Sequence, residues 1–147
     1  MNQSTVAPMA KWALVPLRVA IGITFVMHGY QKLFELGHSG TAEILHWVGI
    51  PFASFFAVVL MVVEPLGGLA ILLGVFARWA ALALAIEMTV AILTARLRGG
   101  FFTPTGYEFE MVLLGACLTI AAIGSGALSL DRRWGLSQTT DSDGARR

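Results

Sequence analysis

Charge is what this chain has least of. Only 13% of its 147 residues are Asp, Glu, Lys or Arg, the formal net charge is +1, and cysteine occurs once. So even a balance offers no basic surface for nucleic-acid phosphates, and no nucleic-acid partner is expected. The single thiol, Cys117, excludes an intrachain disulfide and a self-contained dithiol cycle; in an apolar run it reads as a small buried hydrophobe. The Gly-rich phosphate loop, the dinucleotide-type turn between strand and helix, and the nucleophile elbow are all missing. His28 is the one histidine within an apolar run, which excludes a bis-His haem in one chain. Convergence of His28 with Glu108 and Glu110 is weak grounds for a metal, and none is expected.

What the chain has in quantity is apolar length. Hydrophobic residues make up 56% of it, and the mean hydropathy is +0.75. About 20 apolar residues cover a hydrocarbon core of roughly 30 Å. Helices are expected at about 12–34, 51–76, 78–97 and 108–130, within one transmembrane domain at 11–133. Polar, small-residue stretches at 1–10 and 134–147 read as flexible tails. The very short turn Ala77-Arg78-Trp79 forces its two flanking helices to be antiparallel neighbours. The predicted fold is thus all-α, an antiparallel four-helix transmembrane bundle. Pro51 suits the first turn of the second helix, and 37–49 can hold a short interfacial helix. Trp12, Trp47, Trp79 and Trp134 all fall at expected helix ends, as an interfacial belt requires. The apolar stretch at 19–27 lacks a small-x-small cleavage pattern and is expected to remain as a spanning helix. Lys11, Arg18, Arg78, Arg132, Arg133, Arg146 and Arg147 belong to the side of the termini, against Lys32, Arg96 and Arg98 on the other. That asymmetry puts both termini in the cytoplasm of a multi-pass protein of the inner (plasma) membrane.

The chain is organised around the stretch MVVEPLGG at 61–68. Glu64 falls near the middle of an apolar span, where a carboxylate is costly unless it faces the interior and has a partner. Pro65 removes one N–H and leaves the Met61 carbonyl free. Gly67 and Gly68 have no bulk, so a helix or a flat ligand can approach the backbone. Counted by helical rise from the inner face, Arg18 lies about 10 Å in, Glu87 about 13 Å and Glu64 about 15–18 Å. Glu64 and Glu87 cannot both be ionised cheaply with only Arg18 between them, so one is protonated or further donors such as Thr24 assist. Towards the outer face His28 and Lys32 share a helix face and lie level with Tyr107, Glu108 and Glu110. Glu64, His28, Arg18 and Glu87 are therefore the candidates for proton handling. Gly67, Gly68, Lys32 and Glu108 are candidates for cofactor contact. Against this stands a structural reading: buried Arg–Glu pairs fix helix register, and Lys32 and Glu110 can snorkel to headgroups.

Arg18, His28-Gly29-x-x-Lys32, Glu64-x-x-Gly67-Gly68, Gly74-x-x-x-Arg78, Gly106-Tyr107-Glu108 and Ser129-Leu130-Asp131 together resemble the DoxX family of small four-helix membrane proteins. The resemblance covers residues 17–131 and carries over the family's positions to Arg18, His28, Lys32, Glu64, Arg78, Glu108 and Asp131; Glu87 and Glu110 fit its pattern less clearly. It implies an association with quinone-linked or thiol redox systems. Three functions remain open. The first is a quinone-interacting subunit with no electron carrier of its own, dependent on a redox partner protein. The others are a small proton-coupled transporter working as a homo-oligomer, and a non-catalytic scaffold. All three live in the lipid bilayer.

Overall fold

A chain crossing lipid must satisfy its backbone N–H and C=O groups internally, and a helix does so within one segment. The computed structural model describes residues 3–124, 126, 129 and 130, with side chains from Trp12 onward, and no strand occurs among the described residues. Helix α1 (Gln3–Tyr30) starts inside the segment expected to be a tail. It runs through a π-helical turn, Gln31–Leu36, into α2 (Gly37–Trp47), where Gly37 turns the chain at φ 65°. Next come α3 (Ala53–Leu73) and α4 (Ala77–Ala91). The latter continues through a second π-helical turn, Ile92–Arg96, and a 3-10 turn, Leu97–Gly99. After a loop at 100–107 comes α5 (Glu108–Ile123).

Several expected boundaries shift for local reasons. Helix α3 begins at Ala53 and not at Pro51, because Phe52 is left-handed (φ 53°) and its carbonyl accepts the amides of Phe55 and Phe56 at 2.9 and 3.1 Å. It stops at Leu73, short of Phe76. Gly74 takes φ 69°, and the Val75 amide closes back on the Ala70 carbonyl at 2.9 Å, a glycine-based helix stop. Helix α5 likewise ends before Gly124, at φ 95°, short of the expected residue 130. Asp131, Trp134, the cations at 132, 133, 146 and 147, and the expected tail 134–147 lie outside the described residues.

Among the described residues, three stretches are long and apolar enough to cross a membrane: Trp12–Trp47, Ala53–Leu73 and Ala77–Gly99. The 16 residues of α5 amount to about 24 Å. Helix α1 packs along α3, α3 against α4, and α4 along α5, which returns to α1. The core between them holds Ile21, Phe25, Ile71, Leu84, Leu113, Cys117 and Ile120. Large apolar side chains also cover the outside, among them Ile23, Val62, Leu66, Ile86, Leu93 and Val112. An apolar surface of that extent suits lipid and not water. Trp12, Trp47 and Trp79 are all well exposed, as interfacial tryptophans are.

The α1–α3 contact sets the register of the rest. A Cβ on Gly68 would meet the Gly22 carbonyl oxygen and the Val26 amide nitrogen, both at 2.8 Å, so the two backbones touch there. One turn further out, Gly29 stands directly against the Pro65 ring. Small residues give helices in lipid their close approach. Gly68→Ala should therefore cost about 1–3 kcal/mol through overpacking against backbone atoms that cannot move aside. Gly115 faces open space, and Gly115→Ala should be neutral or gain up to about 1 kcal/mol. Unfolding of the two variants in detergent checks both; equal effects would contradict the assigned contact.

Candidate functional site

Pro65 lies inside α3 and leaves the Met61 carbonyl without its usual amide partner. The residue before it, Glu64, is only 3% exposed. The partner of that buried carboxylate comes from α1's extension. Lys32, in the π-helical turn Gln31–Leu36, places Nζ 2.6 Å from Oε1 and 2.7 Å from Oε2 of Glu64. Lys32 and Gly29 are three residues apart and share a face, so the glycine that admits the proline ring also brings the lysine to its target. From the other side, a side-chain hydrogen bond joins Glu87 of α4 to Glu64. Two carboxyls can hydrogen-bond only if one of them carries a proton. The two carboxyls that helical rise places at similar depth thus lie in direct contact.

A second ion pair stands further out. Arg96, the last residue of the π-helical turn Ile92–Arg96, donates from Nε to Oε1 of Glu110 at 2.8 Å. Its Nη1 donates to the Pro104 carbonyl at 2.9 Å, which ties the pair to the 100–107 loop. Glu110 is 8% exposed. His28 links the two pairs: it lies within the fields of Lys32, Glu64, Glu110 and Arg96, its ring centroid 5.8 Å from that of Phe109. With one proton on the Glu64–Glu87 pair, two cations face two carboxylates and the cluster is neutral. Two oxygens remain unsatisfied: Oε2 of Glu87 and Oε2 of Glu110 are buried without a hydrogen-bond partner among the described residues. Unsatisfied buried acceptors are costly and call for an explanation.

Arg18 does not pair with Glu64 as the depth argument suggested. It is buried at the other end of α3, donating from Nε to the Ile71 carbonyl and from Nη2 to that of Leu72, both at 2.9 Å. Leu72 is about 12 Å from Glu64 along the helix. There the guanidinium satisfies terminal carbonyls and meets the negative end of the helix dipole. Thr24 does not assist the carboxylates either, since its hydroxyl donates to the Ala20 carbonyl of its own helix at 2.9 Å. Gly68 is covered by α1, and Gly67 by the Leu84 side chain, whose carbons would lie 3.1–3.4 Å from a Cβ at that position. Arg78 donates to the Ala121 carbonyl near the end of α5. Glu108 turns away from the cluster into the loop, where Oε1 accepts from the Thr103 amide at 2.8 Å and hydroxyl at 2.6 Å. These bonds hold its carboxyl below the usual glutamate value of 4.5. Among the described residues no group of three His, Cys, Asp or Glu side chains has a metal-holding arrangement.

The family model DoxX matches residues 13–97. A Bacillus subtilis (strain 168) protein named "Putative oxidoreductase CatD" is 35% identical over 115 residues, covering 78% of this chain and 81% of that protein. The "Uncharacterized membrane protein Rv3486" of Mycobacterium tuberculosis is 33% identical over 145 residues, 91% of this chain and 87% of its own. The "Inner membrane protein YphA" of Escherichia coli (strain K12) is 29% identical over 126 residues, 82% and 89% of the two chains. No solved structure matches.

Lys32→Met or Glu64→Gln alone strands a buried partner and should destabilise by about 3–5 kcal/mol, whereas the double variant should recover much of that loss. A double-mutant cycle of unfolding in detergent measures it; additive losses would mean the pair is not coupled. For Glu108 the sign is that of a depressed carboxyl. Its bonds to Thr103 are fully present above pH 4.5 and are lost as pH falls through the lower folded value. Protection of the Thr103 amide relative to its intrinsic exchange rate should therefore fall only on acidification below pH 4.5, and in Glu108→Gln it should be low throughout.

Proposed function

Because the chain belongs to the DoxX family, we propose that it serves a membrane redox system by holding and passing protons on Lys32, Glu64 and Glu87 within the bilayer. In this reading α5 completes four crossings, both termini face the cytoplasm, and the protein resides in the inner (plasma) membrane. The asymmetry of its cations and the printed name of the Escherichia coli relative support that placement. The observation that carries the proposal is the hydrogen bond between Glu87 and Glu64 beside Lys32. A carboxyl that shares its proton with a neighbour, next to a fixed ammonium, can give up or accept one proton without stranding a net charge in low dielectric. The Bacillus subtilis relative's name supports an oxidoreductase setting. In this reading the electrons come through a redox partner protein.

A quinone is the two-electron acceptor this proposal favours. It does not fit beside Gly67 and Gly68, where α1 and Leu84 occupy the space. It fits the donor–acceptor chemistry at Glu87 and Glu110, whose unpartnered oxygens would accept from two hydroxyls of the reduced ring. When bound it would supply the redox change, while the chain's own residues keep the matching protons in the membrane.

A scaffold role is the second reading, favoured by Arg18, which donates to the Ile71 and Leu72 carbonyls at the end of α3. Native mass spectrometry after gentle extraction separates the two. Quinone and a redox-active partner chain should accompany the wild type and be lost in Glu87→Gln, with the melting temperature of that variant unchanged. Phospholipid alone on the wild type would overturn the redox reading and leave the scaffold.

A further inference from the structure

We propose that the Glu64–Glu87 pair exchanges protons with water on one side only, along a path from the 100–107 loop that the Arg96–Glu110 ion pair closes. The inference rests on the proton-handling reading of the same cluster and adds its direction and its barrier. Side-chain exposure is 41% at Arg96 and 10% at Glu110 in the loop-side pair, and 19% at Lys32 and 4% at Glu64 in the inner pair. Between those pairs His28 is only partly buried and feels the charges of Lys32, Glu64, Glu110 and Arg96. Towards the Arg18 end the sequence of side chains is different. Phe25, Ile71, Leu84, Cys117 and Ile120, from α1, α3, α4 and α5, are fully buried and form a dry layer. Beyond it Arg18 is buried against the last carbonyls of α3. Water has polar partners on the loop side and none across that layer.

The ion pair has the features of a closure. Arg96 is held by Glu110 from inside and by Pro104 from the loop, so displacing it opens the cluster without breaking the core. Glu110 keeps a second, buried oxygen unpartnered among the described residues, an acceptor for a water or a hydronium moving inward. Both cations, Lys32 and Arg96, stand on π-helical turns, local widenings that recur at functional sites.

The test is the rate at which a water-soluble carbodiimide with an amine nucleophile modifies Glu64 and Glu87 in the full chain in lipid nanodiscs, read by peptide mass spectrometry. Arg96→Gln should raise that rate about tenfold or more, and Arg96→Lys, which keeps the cation, should stay near wild type. Glu110→Gln cuts the same pair from the other side and should also accelerate labelling, which covers a misfolded Arg96→Gln. Ile120→Ala, which thins the dry layer, should leave the rate unchanged. The proposal is overturned if folded Arg96→Gln and Glu110→Gln label at the wild-type rate, or if Ile120→Ala accelerates labelling as much as they do. Because this readout concerns access alone, its failure is distinct from a missing quinone or partner in the native mass spectra.

Discussion

A carboxylate in the middle of an apolar helix has to be matched there, and the contact between Glu64 and Lys32 is how this protein does it. Much of the remaining architecture is arranged so that the contact can form. Glycines at 22, 29 and 68 let α1 and α3 touch along their backbones, which brings the extension of α1 level with the centre of α3. The π-helical turn places Lys32 over both oxygens of Glu64. Arg18 anchors the opposite end of the same helix pair through the terminal carbonyls of α3. Removing either charge alone leaves the other in low dielectric, so the pair is a condition for assembly before it is anything else.

What lies beyond the pair is less easily accounted for by assembly. Glu87 and Glu110 each bury an oxygen that no neighbour satisfies among the described residues. A scaffold would be more stable with apolar residues of the same size at those positions. Acceptors held unsatisfied beside an ion pair suit a site that takes up protons, water or hydroxyl donors in the course of its work. The structural and functional readings thus divide along the bundle axis. Arg18 and the dry layer above it belong to the fold, and the outer cluster belongs to the chemistry.

The helices were legible because apolar length and turn chemistry act locally, and the singular position of Glu64 was legible because a charge in such a run stands out. The identity of its partner was not. Counting rise per residue from assumed span ends set Arg18 at nearly the depth of Glu64 and Lys32 with the outer group, whereas Arg18 meets α3 at Leu72, about 12 Å from Glu64 along the helix. The π-helical turns that carry Lys32 and Arg96 have no sequence signature comparable to a proline or a glycine stop. Glu108 and Glu110 illustrate the same point. Residues two apart on a helix point to nearly opposite faces, so only one can enter the cluster. The family resemblance favours Glu108, which the structure gives to Thr103, while Glu110 meets Arg96. Boundaries at Phe52 and Gly124 moved because left-handed residues ended helices that hydrophobicity alone would have continued.

The account depends most on a proton shared between Glu64 and Glu87 within the membrane. Infrared difference spectroscopy of the protein in lipid at neutral pH observes that proton directly, as the carbonyl stretch of a protonated carboxyl group. The account predicts such a band in the wild type, shifted by deuterium and absent from Glu87→Gln. A wild-type spectrum with only ionised carboxylates would contradict it.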